Sequence, residues 1–257
     1  MIPIRDLNES GSRPYVCWSL IALNIAVFAF QLSLGSEGTE YLVHHAGLSL
    51  RRLSLAALGQ ADLLLVPAPL TLVTHMFVHG GFLHIIGNMW FLFIFGDNVE
   101  DALGHGRFVL FYLACGLAAA LGEILLGGHP EVPMVGASGA IAGVMGAYVW
   151  LFPTARIVTL VPIFVFFTFI QIPAIFYLGI WLAMQIFNGS GSLAAGGQDG
   201  GGTAWWAHIG GFVAGVGLLW TLFRPRGRFW RRQSLAGRHS LWQPFPRKPS
   251  TPPRWRS

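Results

Sequence analysis

Charge is the first thing this sequence lacks: Asp, Glu, Lys and Arg make up 11% of its 257 residues, against about a quarter in an ordinary water-soluble domain. With 54% hydrophobic residues and a mean hydropathy of +0.58, the shortage argues against a solvated globule and makes lipid the expected solvent. Cysteine is equally sparse. Cys17 and Cys115 both fall inside apolar runs, where a thiol behaves as a small hydrophobe, so neither a disulfide framework nor a CxxC metal motif is suggested. HExxH is absent too. His75 and His79 do have the i, i+4 spacing of a metal pair, and His44 and His45 lie upstream; a zinc site is conceivable there, but with no carboxylate beside the pair no metal is expected. Acidic residues vanish after Phe223, where ten of the sixteen Lys and Arg residues lie.

What the chain has instead is long apolar runs. Bounded by Gly, Pro or charge, they fall at Tyr15 to Leu34, Phe82 to Val99, Phe108 to Leu126, Ser138 to Phe152, Gln171 to Phe187 and Ala204 to Phe223, with the aromatic stretch Thr159 to Ile170 leading into the fifth. Runs of this length match the hydrocarbon core of a bilayer. The expectation is an all-α, polytopic protein of six spans in one membrane domain, 15–223, between a short cytoplasmic N-terminus, 1–14, and a basic, disordered cytoplasmic tail, 224–257. The first fourteen residues hold no signal-peptide core, so the run from Tyr15 is expected to stay as a span.

Short loops rich in Lys and Arg stay cytoplasmic. The tail therefore predicts an inside C-terminus, six spans an inside N-terminus, and Arg107 and Arg156 fall in the loops this topology makes cytoplasmic. Arg51 and Arg52 go against the rule, in a segment (Gly35 to Pro69) too long for a connector and too apolar for a disordered one. It is read as amphipathic helix in the outer interface. The tail itself reads as an anchor on anionic lipid, not as a nucleic-acid site.

Polar groups inside spans are costly and mark candidate chemistry. His75, His79, His84 and Asn88 stand at the start of the second span, Gly136-Ala137-Ser138-Gly139 at the start of the fourth, and His208 near the start of the sixth. Spans two, four and six run in the same direction, so all three clusters share one depth, in the outer leaflet. Gly139 and Gly143, and likewise Gly211 and Gly215, stand at i, i+4 and form small faces that let helices approach closely. Such patterns are common in spans, and Ser138 at a helix start could serve only as its cap.

A serine hydroxyl needs an adjacent base, and a neutral imidazole suits. Ser138 with His208 supplies that pair; His84 and Asn88, four residues apart, can present two donors to an oxyanion beside the Ser138 backbone N–H. No acidic residue is obviously placed to orient His208, Glu123 being a weak candidate, so a dyad is expected. GASGA lacks the second glycine of the GxSxG elbow and no strand precedes it, which argues against an α/β-hydrolase.

In this order, HMFVHGGFLHIIGNMW (75–90), GDNVED, GASGAIAGVMGAY (136–148) and AHIGGFVAG (207–215) resemble the rhomboid family of intramembrane serine proteases, over most of the chain between Leu70 and Phe223. The resemblance implies a nucleophile at Ser138, a general base at His208, oxyanion donors at His84, Asn88 and the Ser138 backbone, a structural glutamate at Glu100, and a membrane-embedded first loop. It implies single-span membrane proteins as substrates, in a bacterial plasma membrane, with no cofactor. Two departures stand out. The family's Trp-Arg pair in the first loop is missing, and Ala142 occupies the place of a tyrosine that stacks on the histidine in some members. An inactive rhomboid-like binding factor and a transporter are the rival readings; a transporter would carry ionisable groups through both leaflets.

Overall fold

The computed structural model describes residues 1–60, 66–127, 132–163, 166–194 and 203–225; from residue 226 the basic tail lies outside the described residues. A strand, β1 (Ile2–Asp6), precedes the first apolar run, which forms α1 (Tyr15–Ser33). The segment after it contains α2 (Gly35–Ala46), α3 (Leu50–Ala57) and a 3-10 turn (Ala68–Leu70) running into α4 (Thr71–Thr74). Arg52, one of the two residues at odds with the charge rule, turns its guanidinium onto the carbonyls of His44, His45 and Val66 at 2.7–2.9 Å. It gathers three stretches of that segment.

Two long helices follow, α5 (Phe82–Leu103) and α6 (His105–Leu126). Only Gly104 separates them, and its φ of +81° is a backbone state that side chains rarely tolerate. Both helices reach past the boundaries read from hydropathy, because Asp97, Glu100 and Asp101 near the end of α5 end the apolar run without ending the helix. Then come α7 (Ser138–Leu151), a hairpin of β2 (Arg156–Ile163) and β3 (Phe166–Pro173), α8 (Ala174–Ala194) and α9 (Trp205–Thr221). Among the described residues, α1, α5 and α6 are long and apolar enough to cross a bilayer unaided, and α7 is a shorter apolar helix.

The all-α expectation needs one correction. The chain is mostly helical, yet β1, β2 and β3 form an antiparallel sheet in that order, with Ile2 opposite Leu160 and Arg156 opposite Pro173. The stretch Thr159 to Ile170 is thus strand and not the lead-in to a helix. Its composition explains why: Ile, Val, Thr and Phe favour extended backbone, while Pro162 and Pro173 each remove a donor that a helix interior needs. The fifth apolar run consequently starts later, at Ala174, and continues through Asn188, Gly189 and Ser190.

At the centre stands α7, whose residues Gly139 to Tyr148 are all buried. It packs against α5, α6 and α9. A helix apolar on every side is stable only when neighbours surround it. At the far end of α5, the fully buried Glu100 carboxylate accepts from the backbone N–H groups of Val16 (3.0 Å) and Cys17 (2.7 Å). These are orphan donors at the start of α1, and a carboxylate there also answers the positive end of the helix dipole.

Candidate active site

Helix α9 meets α7 and α6 backbone to backbone, while α6 meets α7 through the small side chains of Cys115 and Ala119 over Gly143 and Gly139. A Cβ placed on Gly211 would collide with the Gly139 carbonyl, one on Gly215 with the Gly143 carbonyl, and one on Gly146 with the Phe212 carbonyl. On the neighbouring flank, a Cβ on Gly122 of α6 would lie 2.9 Å from the Trp206 carbonyl. Removing side chains lets the backbones touch, and the contact gains dispersion over its whole length. The seam α6–α7–α9 therefore sets where the first turns of α7 and α9 lie.

Those first turns carry Ser138 and His208. Ser138 Oγ lies 2.8 Å from His208 Nε2. Ala137, not Ser138, is the cap of α7, and no side chain caps it, so the hydroxyl is turned to the imidazole and not to its own helix. The other ring nitrogen, Nδ1, lies 2.8 Å from Gln185 Oε1 of α8. Trp181, one turn earlier on α8, holds its ring 5.8 Å from the imidazole at 39°, and Trp205 meets it edge-on at 6.3 Å. Ala142 is fully buried and offers no ring; two tryptophans flank the imidazole instead.

His84 and Asn88 face the serine across a glycine. Gly136 has φ +116°, and a Cβ there would lie 2.5 Å from His84 Nε2 and 3.4 Å from Asn88 Nδ2. Its N–H donates to the His75 carbonyl at 2.8 Å, pinning the loop before Ser138. The Gly80 N–H points at His84 Nδ1 at 3.4 Å, which leaves the proton on Nε2, the atom beside Gly136. Asn88 Nδ2 is buried with no partner, and a buried donor without an acceptor is costly unless something charged arrives to use it. Both donors border one cleft of about 920 Å³ that also takes in Ser138, Met145, Trp181 and His208.

The remaining residues singled out from the sequence hold backbone in place. His79 is bracketed by Gln31 of α1, whose amide accepts from the His79 N–H and donates to its carbonyl, each at 3.0 Å; its ring lies edge-on to His84 at 5.2 Å. Glu123 does not reach the His208 ring. Its carboxylate accepts from the Ala207 N–H at 3.0 Å, at the start of α9 next to the histidine. Gln185, Trp181 and Trp205 are not acidic, so the expectation of a carboxylate partner does not point to them. An amide inside an apolar run was the available signal, since such groups rarely persist in spans without a partner.

The Rhomboid domain family matches residues 68–225, the segment that contains every side chain of the cleft. Rhomboid protease GluP of Bacillus subtilis is 31% identical over 224 residues, 86% of this chain and 38% of its own length. Rhomboid protein 1, mitochondrial, of Saccharomyces cerevisiae is 30% identical over 185 residues, 67% of this chain and 48% of its own. Putative rhomboid protease YdcA of Bacillus subtilis is 36% identical over 81 residues, 31% of this chain and 40% of its own. The chain thus spans under half the length of each of these relatives.

Proposed function

The chain belongs to the rhomboid family and is an integral membrane protein; from that premise we propose that it is a serine endopeptidase that cuts peptide bonds inside the bilayer. The observation that carries the reading is the 2.8 Å approach of Ser138 Oγ to His208 Nε2 at a cleft bordered by the unpartnered Asn88 amide.

In the proposed reaction, Ser138 gives its proton to His208 Nε2 as Oγ attacks the scissile carbonyl. The resulting oxyanion is taken by the Ser138 N–H, by Asn88 Nδ2–H and by His84 Nε2–H, with the start of the α7 dipole behind them. His208 then returns the proton to the leaving amine. Water, deprotonated by the same imidazole, releases the acyl group. The chemistry uses the chain's own side-chain and backbone groups and water. GluP is named a protease, which supports the reaction type.

Six spans, formed by α1, α5, α6, α7, α8 and α9, are part of the same proposal, with both termini cytoplasmic and Ser138 toward the outer leaflet. The arginine distribution supports this orientation. Substrates are single-span membrane proteins whose helix is destabilised near the cut, because a regular helix hides its carbonyls in intrahelical hydrogen bonds.

Purified protein in detergent should cleave a single-span test substrate and react at Ser138 with a fluorophosphonate. Ser138→Ala should lower cleavage to background with an unchanged unfolding temperature. Undiminished cleavage by that variant would overturn the mechanism. A wild-type protein that binds the substrate yet neither cuts it nor labels would establish the rival reading, a binding factor.

A further inference from the structure

Resting on the reading above, we infer that Gln185 is a positioning residue: it holds His208 in the one tautomer that can accept the Ser138 proton. The site is then a neutral triad of Ser138, His208 and Gln185, spread over α7, α9 and α8.

The logic starts at a backbone carbonyl, which can only accept. Gln185 Nε2 lies 3.3 Å from the Trp181 carbonyl, and this fixes which way the amide faces. Its Oε1 must then be the atom that meets His208 Nδ1 at 2.8 Å. An amide oxygen has no proton to give, so Nδ1 must carry the hydrogen, and Nε2 is left with its lone pair. That lone pair points at Ser138 Oγ, 2.8 Å away, and the hydroxyl is the donor. In the opposite tautomer Nε2 would carry the hydrogen and could not take the serine proton, and Nδ1 would face Oε1 with two lone pairs opposed. One carbonyl orientation therefore sets three successive hydrogen bonds.

The same contact acts a second time during turnover. Once His208 has taken the proton both ring nitrogens carry hydrogen, and the negative end of the Gln185 amide dipole faces the new charge. A carboxylate would stabilise that charge more strongly, but an anion in a membrane interior bears a large desolvation cost in the resting enzyme, which an amide avoids. Gln185 is itself buried, so water competes little for the bond.

The acceptor comes from a different helix than the base. α8 packs chiefly on α9 and exposes Ile175, Phe176, Ile180, Met184 and Phe187. Any displacement of α8 away from α9 draws Oε1 off the imidazole and releases the tautomer. The competence of the base is thereby tied to the seating of α8.

Gln185→Met keeps the length and the apolar fit of the side chain but removes the acceptor. It should lower kcat roughly 10- to 30-fold with KM changed by less than about twofold. Gln185→Glu presents an acceptor oxygen in either protonation state and should restore most of the rate. In protein with 15N-labelled histidine, the wild-type His208 should show the Nδ1–H tautomer, and Gln185→Met should gain the Nε2–H form; a merely structural glutamine would leave this signature unmoved. A wild-type His208 in the Nε2–H form overturns the inference, whether or not the variant folds. So does Gln185→Met cleaving at the wild-type rate, and in that case the protease reading stands. A wild type that shows the Nδ1–H tautomer yet cleaves nothing would instead sink the protease reading and leave the positioning role intact.

Discussion

The two sides of the cleft are built on different principles. On one side α9 touches α6 and α7 backbone to backbone through Gly122, Gly139, Gly143, Gly211 and Gly215; on the other, α8 reaches the site with the side chains of Gln185 and Trp181. The glycines of the seam have no rotamers to lose, so the Ser138–His208 separation is set by helix placement. The flank carries Gln185 and Trp181 on a helix whose outer face is exposed. On the proposed protease reading, the rigid side fixes the Ser138–His208 pair, the α8 side positions the imidazole, and substrate enters between them.

Breaking the rigid side should have the largest effect. Gly215→Val drives a side chain into the Gly143 carbonyl; overpacking of this kind costs about 1–3 kcal/mol or more, and a displacement near 1 Å of the reacting pair is enough to cost about 100-fold in turnover. Cleavage and fluorophosphonate labelling should both fall by at least that factor, whereas Ile180→Val on the exposed face of α8 should leave both unchanged. Equal losses from the two variants would erase the contrast.

A milder change tests the end of the seam. Glu123→Gln keeps an acceptor for the Ala207 N–H but removes the charge facing the start of α9, which should cost about 1 kcal/mol of stability and lower the unfolding temperature without shifting KM. An unchanged unfolding temperature would mean that the seam alone places His208.

The smallest effect belongs to the sheet. Asp6 Oδ2 accepts from the Tyr148 hydroxyl at 2.7 Å and from Asn98 Nδ2 at 2.9 Å. Burial raises its carboxyl from the ordinary 3.8 to about 6; the Tyr148 hydrogen bond opposes this and repulsion from Asp97 adds to it. A raised value means that the folded state favours the protonated acid. Its contribution is therefore full below about 4 and lost as pH rises through about 6. Amide exchange at Ile2–Asp6, corrected for intrinsic rates, should quicken between pH 5 and pH 7, about the raised value, while exchange within α7 holds steady. Asp6→Asn should remove the dependence, and a pH response of α7 equal to that of β1 would show that the sheet and the seam do not behave separately.

Legibility from sequence divides along the same line. Helices carrying Ser138, His208, His84 and Asn88 announce themselves as apolar runs, and the glycines that make the seam stand at i, i+4, so a one-dimensional period already encodes a face. The hairpin was misread because its apolar residues match a span by hydropathy and differ only in β-branching and proline. Gln185 is not legible as the partner of His208, because it is not an acid and because nothing local says which of several polar groups in six runs will meet. Glu123 was weighed as a ring partner, whereas its carboxylate accepts from the backbone one residue earlier.

By itself the amino-acid order determined that the chain seeks lipid, roughly where its apolar helices lie, and which of their faces can approach closely, since hydropathy and helical period are properties of neighbouring residues. Only the tertiary structure decided that Gln185 faces Nδ1, that two tryptophans flank the imidazole, and that residues 2–6 pair with a hairpin more than 150 positions away. Those choices depend on which elements pack side by side, and packing is settled by the summed contacts of distant segments, which no local pattern records.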